Sequence, residues 1–174
     1  MRKSFAFQAL PATVLALAAC GSSNSSSSTT SSAAAPASST PSSASSTSAA
    51  AAVTISTKTI PGLGPVLVNA QGRTLYTFAP DKATKVTCVG GCASVWPPVT
   101  LAAGAKAVGS GGVKASLLGS DPDPSGGKVV TYAGWPLYAY VADTASGAHA
   151  GQALNLNGGL WYVISPSGKV ITKK

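Results

Sequence analysis

Gly72-Arg73-Thr74-Leu75-Tyr76-Thr77-Phe78-Ala79-Pro80-Asp81 returns later in the chain as Gly134-Trp135-Pro136-Leu137-Tyr138-Ala139-Tyr140-Val141-Ala142-Asp143. Glycine, leucine, tyrosine and aspartate recur in place, and Tyr140 stands where Phe78 stood. Val66-Leu67-Val68 precedes the first copy and Val129-Val130-Thr131-Tyr132 the second. Each unit therefore reads as strand, glycine turn, strand, which is a β-hairpin. The glycine supplies the positive φ such a turn needs. Strand side chains alternate, so the tyrosine and the next aromatic share one face and Leu75 and Leu137 take the other. A tryptophan follows each copy, at Trp96 and Trp161.

A third hairpin is expected over Trp161–Ile171, with Pro166 presetting φ in its turn and Gly168 ending it. Cys92-Ala93-Ser94-Val95-Trp96 reads as one helical turn, stopped by Pro97-Pro98. No window carries a long helical period, and Val, Ile, Thr, Tyr and Trp fall in short runs between Gly, Pro, Asn and Asp. The expected fold is all-β, with at most one or two short helical turns. Two hairpin repeats, about 64–99 and 127–164, would pack their apolar faces into one sandwich- or barrel-like domain spanning 53–174.

The repeated aromatics Tyr76, Phe78, Trp96, Tyr138, Tyr140 and Trp161 admit two readings, core packing or a platform that stacks on a planar ligand such as a sugar. Asp81 and Asp143, just past the strand ends, either cap their own turns or converge in a cleft as a catalytic pair. Asp121-Pro122-Asp123-Pro124-Ser125-Gly126 imitates the opening of a calcium loop. The bidentate glutamate that should follow is missing, and Tyr132 stands in its place. Gly109-Ser110-Gly111-Gly112 lacks the Gly-Lys-Ser/Thr of a phosphate cradle. His149 is the only histidine and lies in a Gly/Ala-rich loop, so no Ser-His-Asp set is arguable. The residues imply no metal, no cofactor and no enzymatic activity.

Upstream of the domain, Leu17-Ala18-Ala19-Cys20 looks like a bacterial lipobox. Arg2 and Lys3 form a basic start, and the apolar run to Ala19 is about 15 residues, short of the roughly 20 that a spanning helix needs. Residues 1–19 are thus expected to be removed and Cys20 lipidated, giving a membrane anchor. Residues 20–52 would form the lipidated cysteine plus a Ser/Ala/Thr-rich tether open to glycosylation. That stretch has too little apolar surface to order itself, and a flexible chain of that length spans about 30 Å. Lipidation of Cys20 leaves two of the three cysteines, Cys88 and Cys92, separated by C-x3-C with Gly90 and Gly91 between them. An exported compartment permits a disulfide there. A zinc site would need more ligands than the chain offers, and the C-x-x-C-H of haem attachment is absent.

The chain has 12 Lys and Arg against 4 acidic residues, and no glutamate. Removing Arg2 and Lys3 with the leader leaves ten basic against four acidic side chains, a net charge of +6. Such a balance favours an anionic envelope surface, a wall polymer or an envelope protein as partner. It does not favour nucleic acid, because the only run of basic residues is Lys173-Lys174.

The duplicated Y-x-[FWY]-x-x-D pattern resembles a family of bacterial lipoproteins described as a secreted repeat of unknown function. Gly72 to Val99, with Cys88-x3-Cys92-Ala93 and Trp96-Pro97-Pro98, looks like its first repeat. Thr131-Tyr132-Ala133-Gly134, Pro136-Leu137-Tyr138, Asp143, Gly147, Gly151-Gln152 and Trp161-Tyr162-Val163 look like its second. Trp135 stands where the family usually has a basic or small polar residue, which predicts a local difference in that turn. The resemblance implies export and a repeat architecture, and no assigned activity. The chain is thus expected to be an exported, lipid-anchored envelope protein, its domain in the periplasm or outside the cell. Its expected role is a non-enzymatic binding or structural module. A redox or metal-handling protein using Cys88 and Cys92, with His149, is one alternative. A hydrolase using Asp81 and Asp143 is the other.

Overall fold

The computed structural model describes residues 52–81 and 85–174. The lipobox with Cys20, the leader and the tether lie outside the described residues. Strand β1 (Val53–Ile60) turns through Pro61-Gly62-Leu63 into β2 (Gly64–Asn69), an antiparallel hairpin with Ile60 opposite Gly64. After the first glycine turn come β3 (Leu75–Phe78), a 3-10 turn at Ala79–Asp81, helix α1 (Gly91–Val95) and β4 (Thr100–Leu101). Next are β5 (Ala107–Gly109), a second 3-10 turn at Ala115–Leu117, β6 (Leu118–Pro122) and β7 (Lys128–Tyr132). The chain ends with β8 (Trp135–Pro136), β9 (Tyr138–Ala139), β10 (Asn155–Leu156) and β11 (Gly159–Val163).

Among the described residues the fold is all-β, as the strand signals predict, with one short helix and two 3-10 turns. The strands form three small sheets, ordered β2-β1-β5, β10-β11-β3-β9 and β4-β7-β6, with β8 paired to β7. No barrel closes. The strand after each glycine turn also leaves its own hairpin almost at once. In the first repeat one β-bridge, Val68 to Thr74, lies beyond the turn, which Asn69 N–H closes on Arg73 O at 2.9 Å. β3 then pairs with β9 and β11, both from the second repeat. Tyr76 lies directly opposite Tyr138 in that register.

The backbone exchange is reciprocal. Leu67 of the first repeat donates its N–H to Ile164 of the second, at 3.0 Å, and Val130 of the second donates to Val99 of the first, at 2.8 Å. Val99 and Ile164 each stand three residues past their tryptophan. Each repeat thus completes the other's sheet, and neither is a free-standing hairpin pair.

Two cores result, and they explain why Val66-Leu67-Val68 is continuously apolar rather than alternating. Val66 and Val68 face one core with Ile60, Tyr76, Phe78, Trp96, Tyr138 and Trp161. Leu67 faces the second with Ile55, Leu75, Val130, Tyr132, Leu137 and Ile164. A strand buried on both faces needs no polar side.

The two glycine turns differ. Ala133 and Gly134 both take positive φ, 50° and 80°, the pattern of a two-residue type I′ hairpin turn. The first-repeat turn is longer. The Asn69 side chain closes it by accepting from the N–H groups of Gln71 and Arg73, each at 3.0 Å. The third hairpin is present, with Ile164 bridged to Val170 and Gly168 N–H bonded to Ser165.

Candidate functional site

The repeated tyrosines and aspartates meet across the repeats. Tyr76 Oη donates to Asp143 Oδ2 at 2.5 Å, and Tyr138 Oη donates to Asp81 Oδ2 at 2.5 Å. The second oxygen of each carboxylate closes the loop that follows it. Asp81 Oδ1 accepts from the N–H of Thr87 at 2.9 Å and from its hydroxyl at 2.5 Å. Asp143 Oδ1 accepts from the N–H of Ala150 at 2.9 Å. Gly151 N–H in turn donates to Tyr76 Oη at 3.3 Å. Each aspartate is therefore a loop cap and also the acceptor for the other repeat's tyrosine.

Asp81 is 1 % exposed and Asp143 0 %, so the two carboxylates are sealed in the core rather than open to a cleft. Burial pushes the Asp81 carboxyl up from its usual range, against the pull of its Thr87 and Tyr138 donors. Tyr76 and Tyr138 are both held well above the ordinary 10.0, first by burial and then by the carboxylate each one bonds.

Four aromatic rings stack in a column between these pairs, in the order Phe78, Trp161, Trp96, Tyr140. The two indoles lie at the centre, 3.9 Å apart and 3° from parallel. Phe78 covers Trp161 at 4.2 Å and Tyr140 covers Trp96 at 4.2 Å. Tyr76 meets Trp96 edge-on and Tyr138 meets Trp161 likewise. Each repeat contributes two rings from matching positions, Phe78 and Trp96 from the first and Tyr140 and Trp161 from the second, so the column has an approximate twofold axis between the tryptophans. Tyr140 is half-buried and the other five are buried. These rings are core, and they offer no open stacking platform. The symmetry breaks at the indole nitrogens: Trp161 Nε1 donates to Leu156 O at 3.0 Å, whereas Trp96 Nε1 has no partner among the described residues.

Two residues carry more of the site than their sequence signal suggests. A Cβ on Gly151 would lie 2.7 Å from the Trp96 ring and 2.9 Å from Tyr76, so the loop can seat against the column only as glycine. Gln152 Oε1 accepts from Val163 N–H at 2.8 Å, and its Nε2 donates to the carbonyls of Ile171 and Lys173 at 2.7 and 2.6 Å. One side chain thus fixes the last residues of the chain to β11. The Gly151-Gln152 pair in the family pattern is the only sequence signal for it.

Cys88 and Cys92 are bonded, with Cα atoms 5.2 Å apart, and the bridge ties the loop after Asp81 to α1. Cys88 belongs to the aromatic core, and Cys92 packs half-buried against it. Asp123 closes its own turn by accepting from Ser125 N–H at 2.8 Å. His149 is exposed and makes no bond to the Tyr–Asp pairs; its Nδ1 bonds the Gly147 carbonyl at 3.1 Å.

Two surface cavities stand outside the column. One, of about 680 Å³, is walled by the 101–107 loop, Leu118-Gly119-Ser120, Gly127 and Lys128. The other, of about 310 Å³, is lined by Pro61, Gly62, Leu63, His149, Gln152 and Lys174. Among the described residues no group of three or more potential metal-ligating side chains comes together. No helix among them is long and apolar enough to cross a membrane.

A family model described as "Secreted repeat of unknown function" matches the chain twice, over residues 58–100 and 121–165. The first match begins within β1 and the second within β6, so each takes in the end of the strand before its hairpin. No curated protein and no solved structure matches the chain.

Proposed function

Given that the chain belongs to the family of secreted repeats of unknown function, we propose that it is a lipid-anchored envelope module that binds a partner or holds structure rather than catalysing a reaction. One observation carries this reading: the duplicated tyrosine and aspartate of the repeat are directed inward. Both motif carboxylates are fully engaged by tyrosines and loop N–H groups and are shielded from solvent. General acid–base work on a substrate needs a carboxyl within hydrogen-bond reach of it. A redox role is narrowed too, since Cys88 is 1 % exposed and only the half-buried Cys92 is left for thiol exchange, which requires access to a sulfur. The lipobox at Leu17–Cys20 supports the anchor.

Two measurements test the reading. Mass spectrometry of the mature N-terminus should find an acylated Cys20, and an unmodified N-terminus elsewhere would remove the anchor from the proposal. Thermal shift of the full chain against fractionated envelope material should reveal a stabilising fraction, because only a binder of the native state raises Tm. Turnover of any envelope substrate that is lost in D81N or D143N variants of unchanged Tm would replace the module with an enzyme.

A further inference from the structure

We propose that the notch between the β1–β2 turn, the Ala145–Gln152 loop and the chain's final lysines binds a phosphodiester-linked polyol, the repeating chemistry of an anionic wall polymer. The proposal rests on the envelope-module reading and names its ligand class. The sequence shows only the Lys173-Lys174 pair here; the fold assembles the rest. Lys174, His149, Gln152, Pro61, Gly62 and Leu63 line a cavity of about 310 Å³. Lys58 reaches the loop that carries His149: Nζ donates to Ser146 Oγ at 2.8 Å, and Cε lies 2.9 Å from where a Gly147 side chain would begin. The Gly147 carbonyl accepts from His149 Nδ1, which leaves Nε2 as the ring nitrogen open to a ligand.

The lining is held in place. Gln152 fixes the carbonyls of Ile171 and Lys173, so the lysine pair is carried on a bonded segment. Gly147 N–H donates to Gly72 O at 2.9 Å, and Thr74 Oγ1 donates to Ala148 O at 2.6 Å, which together anchor the loop to the first glycine turn. The charge is one-sided for a structural reason. The loop's own carboxylate, Asp143, is buried with Tyr76, and the remaining acids are Asp81 in the core and Asp121 and Asp123 on β6 and its turn. No acidic side chain lines the notch.

Size and chemistry narrow the ligand. The volume is at the low end for a ligand pocket of roughly 300–1,000 Å³, enough for one phosphorylated polyol unit and too little for acyl chains. None of the exposed large hydrophobics, Val89, Val108, Val141, Leu156 and Leu160, lines the notch, so it offers no wedge for a bilayer. The cations are ammonium point charges that suit a phosphate. No arginine fork, the preferred partner of a planar carboxylate, lines the notch.

The test is calorimetric titration of the full chain with poly(glycerol phosphate), in parallel with polyglutamate and with phosphatidylglycerol vesicles. Saturable binding of the polymer is expected, with K58Q/K174Q weakening it by about tenfold or more and K106Q/K128Q, at the larger cavity, changing it less than about twofold. H149A, at an exposed loop, gives a second variant should the lysine pair lose the wild-type Tm, and it too should weaken binding. Equal losses in the two lysine pairs, equal affinity for polyglutamate, or binding to vesicles alone would overturn the notch and leave the envelope-module reading standing. If no envelope material of any kind binds, that reading falls as well.

Discussion

Tyr76 and Tyr138 each do three things at once: they fill core volume, lie edge-on against a tryptophan, and close the other repeat's aspartate. Truncation should therefore cost far more than an exposed tyrosine would. Tyr76→Ala and Tyr138→Ala are each expected to destabilise the domain by about 3–5 kcal/mol. The phenylalanine variants keep the ring and strand one carboxylate oxygen, for about 1–3 kcal/mol. Denaturant melts of the four variants check both figures, and a wild-type midpoint for any of them would contradict this account of the column. The same residues set the alkaline limit. Their folded pKa values lie above the unfolded 10.0, so the stability from the neutral phenols is complete below about pH 10 and is lost as pH rises further. Absorbance at 295 nm should show two phenols ionising only as the domain unfolds. Y76F or Y138F should remove one of them from that late phase.

At the scale of elements, the loop after Asp81 has two closures, the Thr87 bonds to Asp81 and the Cys88–Cys92 bridge to α1. The loop after Asp143 has the Ala150 bond and the close fit of Gly151. Alkylation of unreduced, denatured protein should label neither Cys88 nor Cys92. The C88A/C92A double variant should lose about 2 kcal/mol, the chain-entropy value for so short a ring. Gly151→Ala should cost about 1–3 kcal/mol by overpacking against Trp96. The sequence announced the two glycine turns, the helical turn at Cys92–Trp96 and the third hairpin, because glycine turns, prolines and β-branched runs act locally. The β1–β2 hairpin was not read from the sequence, because Val53-Thr54-Ile55 and Pro61-Gly62 lie outside the duplicated segment. The partners of β3 were not legible, because register between distant strands is set by which faces find a core rather than by the strands themselves. The alternation of Tyr76 against Leu75 was readable. That each would face a separate core was not.

At the scale of the whole molecule, the exchange makes the repeats inseparable. A chain ending at Ser120 keeps Tyr76, Phe78, Asp81, Trp96 and the disulfide but loses Trp161, Tyr138, Asp143 and the strands that flank β3. It should be unfolded or aggregated by circular dichroism and light scattering, despite containing a full match to the family pattern. A cooperative, wild-type-like melt of that fragment would show the repeats to be independent. The charge balance was legible in composition alone, but its distribution was not: half of the acidic residues are removed from the surface by the tyrosine pairs, so the exterior is more basic than the net charge suggests.

The reciprocal bonding of tyrosine to aspartate has the form of an isologous interface written into a single polypeptide. Residue i of one unit meets residue j of the other, and j meets i, which is the rule for a C2 homodimer. A chain carrying one repeat would thus have its natural complement in a second copy of itself, joined about the axis between the tryptophans. Covalent fusion of such halves replaces a concentration-dependent association by an intramolecular one, and frees each half to diverge. Only one half then needed a disulfide, and only the other brought its histidine beside the closing lysines.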